Sequence, residues 1–242
     1  MGGKGDPVPR RGDIYRGQDP RFLPFYGLTE AALCLRLPLA TLRQWAVGRP
    51  YPTKDGGRVT PPLIKMADPE RRLLSFVNLM ECQALRAFRR EHELSFKVIR
   101  EALASLKALD GPLAKEHPLA FEEFLADRAE IFVERLGELI TLNKARQIAF
   151  TAVFRSHLQR IQRDADGPVA FFPWIRWEGG EERLVAVNPR VSFGRPVIAG
   201  TGVSTAVIAS FVRAGESIQA IAEDYDLTTA QVEAAVTFEE AA

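Results

Sequence analysis

Apolar residues recur at helical spacing near the start of the chain, at Leu28, Ala31, Ala32 and Leu35, and then at Leu39, Leu42 and Trp45/Ala46. Spacings of three and four place them on one face of each segment, which predicts two short helices packed on each other. Leu37-Pro38 separates the two, because the residue before a proline avoids the α region. The first helix is expected over 30–35 with Thr29 as its cap, and the second over 39–47 with Gly48 closing it. Asp55-Gly56-Gly57 then reads as a hairpin tip. Short strands are expected at 63–64 and 73–76. A longer helix opens at Ser75 or Asn78 and runs to about residue 90. Ser95 caps a further one over 96–108, with Val98, Ile99, Ala102, Leu103 and Leu106 on one stripe.

The middle of the chain is less periodic. A short helix is expected over 120–125. Apolar runs around Leu136-Gly137-Glu138 read as a hairpin within 130–142. An amphipathic helix over 145–164 passes through Ile148, Ala152, Phe154, Leu158 and Ile161 and ends at Gly167-Pro168. Residues 169–177 read as a strand that is apolar on both faces. Phe171, Phe172, Trp174 and Trp177 therefore belong to a core or a subunit interface, with Pro173 placing the strand near an edge. Two more short strands, 183–187 and 197–198, precede three helices over 204–213, 217–223 and 228–238. Ser217 caps the second of these, and Thr228 with Gln231 forms a capping box for the third.

These elements predict a mainly α fold with short β-hairpins, in four parts. A Gly-, Pro- and Arg-rich mobile arm spans 1–21, and a winged helix-turn-helix domain spans 22–108. A mixed α/β segment, read as a dimerisation element, spans 109–183. A three-helix, helix-turn-helix-like domain spans 184–242.

Composition adds little until it is divided. The chain has 242 residues and a formal net charge of +1, an ordinary globular balance. Residues 1–107, however, hold 19 Lys and Arg against 11 Asp and Glu, whereas residues 184–242 hold 3 against 7. A basic front is joined to an acidic back, and the sum conceals both. The two cysteines, Cys34 and Cys82, are too few for a disulfide framework or a thiolate metal site and read as buried free thiols. No run is long and apolar enough for a membrane span, and the first 20 residues lack an apolar core. Neither a membrane association nor a secretory signal is expected, and the expected compartment is the cytoplasm.

No catalytic constellation emerges. His92, His117 and His157 lack metal-ligand spacing, so no metal is expected. Neighbouring glutamates such as Glu122-Glu123 diverge on a helix surface. Gly200-Thr201-Gly202 fits neither a dinucleotide fingerprint nor a phosphate-binding loop, and no cofactor is expected. The front end carries a different chemistry. The second helix of a helix-turn-helix enters the major groove. Here it offers Thr41 for a phosphate, Arg43 to fork onto guanine and Gln44 to pair with adenine. Arg36 in the turn, Arg49, and Lys54 and Arg58 on the wing complete a basic surface, with Thr29 at the start of the first helix. One reading helix per chain calls for a dimer on a repeated or palindromic operator in double-stranded DNA.

The front resembles MerR-type winged helix-turn-helix domains in Leu28-Thr29-Glu30-Ala31-Ala32, Leu37-Pro38-Leu39-Ala40-Thr41-Leu42-Arg43-Gln44-Trp45 and Leu74-Ser75-Phe76-Val77-Asn78-Leu79. The resemblance implies that Thr29 caps the first helix and that Thr41 to Gln44 face DNA. The back is similar to a small domain of unknown function found in antitoxin-like proteins. It shares Phe193-Gly194-Arg195-Pro196-Val197-Ile198-Ala199-Gly200-Thr201, Ala214-Gly215-Glu216-Ser217-Ile218 and Ile221-Ala222. Together the parts resemble the larger VapB-type antitoxins. That resemblance implies an autoregulated toxin–antitoxin operon and a PIN-like ribonuclease toxin as partner. An acidic nuclease site would be met by an exposed arginine, for which Arg190, Arg195 and Arg213 are the candidates. The alternative reading is a MerR-like regulator that responds to a small-molecule effector and has no toxin.

Overall fold

The computed structural model describes residues 14–53, 56–92, 99–100, 116–117, 119–120, 159–164, 167–175 and 183–240. Several expected features lie outside them: Lys54, Trp177, the hairpin within 130–142, and most of the helices over 96–108, 120–125 and 145–164. Among the described residues the chain forms six α-helices and four two-stranded antiparallel pairs.

Strand β1 (Tyr26–Gly27) pairs with β4 (Leu73–Leu74), Tyr26 opposite Leu74 and Gly27 opposite Leu73. This pairing delivers the chain straight into α1 (Leu28–Leu35). Gly27, held extended, is the last non-helical residue, and no side chain caps the helix. Thr29, expected as the cap, is instead the second residue of α1. The helix ends as Arg36 turns left-handed, with φ 53° and ψ 46°. Arg36 N–H donates to the carbonyl of Leu33 and Leu37 N–H to that of Ala32, a Schellman closure. Pro38 then opens α2 (Leu39–Ala46). Leu35, Leu42, Trp45 and Ala46 are sealed between the two helices and α3 (Phe76–His92), against Leu74, Phe76, Val77 and Met80.

From α2 the chain passes into β2 (Arg49–Thr53), which pairs with β3 (Gly56–Thr60) from Arg49 opposite Thr60 to Thr53 opposite Gly56. Gly48 makes this turn possible: its φ is +90°, and a Cβ there would lie 2.1 Å from the carbonyl oxygen of Thr60. Residues 63–64 form no strand. Leu63 and Ile64 both donate to the carbonyl of Trp45, at 2.8 and 3.1 Å, and so satisfy the open end of α2. Strand β4 stops at Leu74 because Ser75 starts α3. Asn78 N–H donates to Ser75 Oγ (3.2 Å), and Ser75 N–H donates to Asn78 Oδ1 (3.1 Å). The Asn78 amide also accepts from Ala67 N–H and donates to the Lys65 carbonyl and to Glu81, which uses both acceptor sites and both donors. Glu81 in turn lies 3.1 Å from His117 Nδ1.

The helix expected through Asp164 does not reach it. Residues Ile161–Asp164 form β5, paired with β6 (Gly167–Phe171) with Ile161 opposite Phe171. Ile161, the one described residue of the stripe read at helical spacing, is buried here in a strand, opposite Phe171. Gly167-Pro168 opens a strand rather than ending a helix, and the strand expected to residue 177 gives way to irregular chain after Phe171. Phe171 and Val187 exchange backbone hydrogen bonds of 2.9 and 2.8 Å. This joins β6 to the pair β7 (Val185–Ala186) and β8 (Val197–Ile198). Helices α4 (Thr205–Arg213), α5 (Ile218–Asp224) and α6 (Thr229–Glu240) then enclose Ile198, Ile208, Ile221, Val232 and Ala235. Ser217 Oγ accepts from Ala220 N–H. Thr228 and Gln231 make the reciprocal pair of a capping box.

The end of the expected mobile arm is packed. Arg21 is 7% exposed and forks onto Asp19 at 2.6–3.0 Å, while its carbonyl accepts from Val77 N–H. Burial alone would raise the Asp19 pKa, but the hydrogen bonds and charge of Arg21 outweigh it and hold the carboxyl below its usual range.

Because Asn78 ties the 65–67 loop, Ser75 and Glu81 to one amide, Asn78→Ala should lower the unfolding free energy by about 2 kcal/mol, the cost of orphaning buried partners. A urea denaturation series reads this out, and an unchanged midpoint would contradict the role given to the amide.

Candidate nucleic-acid interface

Helix α2 buries Leu42, Trp45 and Ala46 and leaves Ala40, Arg43 and Val47 exposed, with Thr41 and Gln44 half-buried beside them. The same periodicity that seats the helix therefore presents Arg43 at the centre of its outer face. Three residues past α2, Arg49 is exposed at the base of the β2–β3 hairpin. Arg58 stands on β3 opposite Tyr51. Thr29 is exposed in the first turn of α1. Sequence reasoning missed Val47 and Val59, which are 36% and 57% exposed. A Cβ on Gly48 would lie 3.0 Å from Val59 Cγ1, so Val59 sits where helix and hairpin meet. The alternation of β3 was the available signal for it.

Arg36 does not join this surface. Its guanidinium carbon lies 4.2 Å from the centroid of the Phe238 ring, and Nη2 is 3.4 Å from the Thr237 carbonyl oxygen. Burial lowers its pKa, partly opposed by the nearby Glu239.

The C-terminal part of the chain meets the front at a second point, ahead of its helices. Tyr26 Oη, buried, donates to the carbonyl of Gly194 at 3.0 Å. Gly194 has φ +78°, and a Cβ on it would lie 2.1 Å from that hydroxyl. Burial pushes the Tyr26 hydroxyl well above its ordinary pKa and keeps it a neutral donor. Alongside, Tyr15 Oη donates to the Pro189 carbonyl at 2.7 Å, and its ring meets Phe193 edge-on at 6.2 Å. Burial also raises the Glu30 pKa, against the pull of Arg195.

Of the other candidate arginines, Arg190 and Arg195 are exposed on either side of the Ser192–Gly194 turn, whose tip displays Phe193 at 56% exposure. Arg213 is exposed in the last turn of α4, on a different element. In the aromatic segment, Arg160 stacks on Trp174 at 4.0 Å and Arg183 lies over Phe172 at 5.2 Å, partners that the strand reading did not anticipate. Cys34 and Cys82 are buried free thiols whose pKa values burial drives up. Among the described residues no cluster of His, Cys, Asp and Glu could hold a metal, and no helix is long and apolar enough to cross a membrane.

Residues 24–103 match the family described as "Putative DNA-binding HTH domain", and residues 185–238 match "Protein of unknown function (DUF433)". The chain thus joins an N-terminal helix-turn-helix domain to a small C-terminal domain of that second family. It belongs to the same family as the "Putative antitoxin VapB45" of Mycobacterium tuberculosis (strain ATCC 25618 / H37Rv). The two are 32% identical over 227 residues, 87% of this chain and 91% of that protein. The "Uncharacterized protein Rv2308" of the same strain is 25% identical over 226 residues, 88% of this chain and 89% of its own. The X-ray crystal structure of Rv2018 from Mycobacterium tuberculosis is similar in fold, with a TM-score of 0.63 at 26% identity, covering 89% of this chain and 98% of that one.

Tyr26→Phe removes one buried donor and should lower stability by about 1–2 kcal/mol in chemical denaturation. Gly194→Ala should cost more, since both the positive φ and the Tyr26 hydroxyl oppose a Cβ. A smaller loss for Gly194→Ala than for Tyr26→Phe would contradict the close approach.

Proposed function

We propose that this chain is a DNA-binding antitoxin that represses its own operon and neutralises a PIN-like ribonuclease by binding it. The observation that carries the reading is the exposed face of α2, centred on Arg43 and running into a hairpin with Arg49 at its base, in a chain homologous along most of its length to an antitoxin-named protein. The family points to a regulatory protein rather than an enzyme.

In this reading the front is a MerR-like winged helix-turn-helix. Arg43 and Gln44 read base edges, because a guanidinium matches guanine O6/N7 and a carboxamide matches adenine N6/N7. Thr29, Thr41, Arg49, Lys54 and Arg58 hold phosphates and set the register. The exposed Val47 and Val59 suit thymine methyls or the sugar edge between them. Arg36 drops out of the contact set because its guanidinium is already engaged. The chain acts as a homodimer on a two-part operator, since one reading helix specifies too few base pairs alone. The toxin is held by protein–protein contact, with Arg190, Arg195 and Arg213 supplying positive charge from an otherwise acidic domain. The work is done in the cytoplasm, where operator and toxin are both met.

The test is binding of the full chain to its own upstream DNA, with and without the product of the adjoining reading frame. Arg43→Ala and Gln44→Ala should each weaken operator binding by about 1–3 kcal/mol and relax specificity, with the fold intact by circular dichroism. Lys54→Ala should weaken binding on every sequence and reduce the salt slope by about 1. Operator binding that ignores Arg43 and Gln44 would overturn the assignment of α2. A neighbouring product that neither co-purifies nor is neutralised in a growth assay would overturn the antitoxin reading.

A further inference from the structure

The C-terminal domain fastens α1 at both of its ends. Immediately before α1, Tyr26 donates to the Gly194 carbonyl in a contact too close for any side chain on residue 194. Immediately after it, Arg36 lies on Phe238 and reaches the Thr237 carbonyl. The two fastenings are separated only by the length of α1, eight residues or about 12 Å.

The second fastening answers a need on each side. On the front, residue 36 closes α1 in the left-handed conformation, where glycine or asparagine is the locally favoured choice. A long charged residue there is explained by what its side chain reaches. On the back, α6 has no basic residue in its last turn and ends on Glu239 and Glu240, the wrong sign for the negative end of a helix dipole. The guanidinium of Arg36 supplies the missing cation from outside the helix. Its distance to the Thr237 oxygen is at the long end for a hydrogen bond, so the face of Phe238, itself fully buried, is the main contact. Glu239 accepts from Thr205 Oγ1, which links this end of α6 to the start of α4. Nη1 of Arg36 is buried with no hydrogen-bond partner among the described residues, so that edge of the group is turned inward, away from phosphate.

We propose that Arg36 is a positioning residue for DNA binding: through Phe238 and the end of α6 it ties the α1–α2 turn to the C-terminal domain, so that this domain sets the pose of α2. The proposal rests on the DNA-binding reading above for its consequence, though not for the coupling itself. By linkage, any partner that shifts the C-terminal domain's grip on the turn changes DNA affinity, and DNA changes the affinity for that partner by the same factor.

The experiment is a double-mutant cycle on the full chain, with its own upstream DNA as probe at several salt concentrations. Arg36→Ala and Phe238→Leu should each weaken binding on the order of 10-fold. The double variant should be no weaker than the worse single one, and the slope against salt should stay at the wild-type value. Arg36→Lys should restore part of the affinity, because an ammonium keeps the charge without the planar stacking. A salt slope that falls by about 1 in Arg36→Ala, together with wild-type binding by Phe238→Leu, would make Arg36 a phosphate contact and overturn the proposal. Amide exchange provides a readout that does not depend on DNA. Arg36→Ala should speed exchange in the last turn of α6, and Phe238→Leu should speed it at Arg36 and Leu37. If the wild-type chain binds no DNA, the reading of function fails, and the exchange data alone decide the coupling. Unchanged exchange in both variants overturns it.

Discussion

The structure depends on where α1 is seated. Its inner face joins the core that also holds α2 and α3, through Ala31, Cys34 and Leu35. Its two ends carry the contacts to the C-terminal domain. The decisive atom is the Tyr26 hydroxyl, which meets a carbonyl 168 residues away in a space that admits only glycine. Among the described residues helix α2 has no comparable fastening of its own. It is placed by α1 through Leu35, Leu42, Trp45 and Ala46, and by Leu63 and Ile64, whose amides both donate to the Trp45 carbonyl. The orientation of the outer face of α2 is therefore inherited from the position of α1.

Local signals were legible in the sequence wherever one residue type has one physical use. Pro38 marked the break between α1 and α2. Ser217, Thr228 and Gln231 marked the two final caps, and the buried face of α2 followed from spacing alone. The failures arose where a distant partner decided. Thr29 is a good cap by type, yet pairing of Gly27 with Leu73 starts the helix earlier. Ile161 continues a helical period but is buried by Phe171 across a hairpin. Residues 63–64 read as strand by apolar content, and their amides are taken by Trp45. In the candidate site, Arg43, Gln44 and Arg49 were visible as polar positions on the free side of α2 or just beyond it. The commitment of Arg36 to Phe238 was not, because nothing in the sequence near either residue points to the other.

The charge division gains meaning from the same contact. Basic front and acidic back are not independent modules with opposite tastes. They touch where Arg36 approaches the end of α6 beside Glu239, and Arg195 lies close enough to Glu30 to pull on its titration. Each half contributes one arginine that acts on a glutamate of the other. The pairing is cheap in a buried setting for Arg36, since an aromatic face replaces much of the lost hydration of a weakly hydrated guanidinium. The outer residues of α2 and the hairpin are left outside these pairings. Arg43 and Arg49 therefore stay exposed, although the whole chain is nearly neutral.

Coupling of this kind requires an element with two discrete arrangements rather than a soft one. The α1–α2 turn meets that requirement because its left-handed residue is also its contact to the C-terminal domain. Arg36 sits in a left-handed well that a residue with a Cβ leaves readily once its long-range contact is lost. Loss of the stack on Phe238 would thus remove a helix cap and a domain contact in one step, releasing the orphan carbonyls of Ala32 and Leu33 together. The described register of the hairpin follows from Gly48 at its base and from pairing along β2 and β3. A change in the C-terminal domain's hold on Arg36 would therefore act first on the turn from which α2 starts.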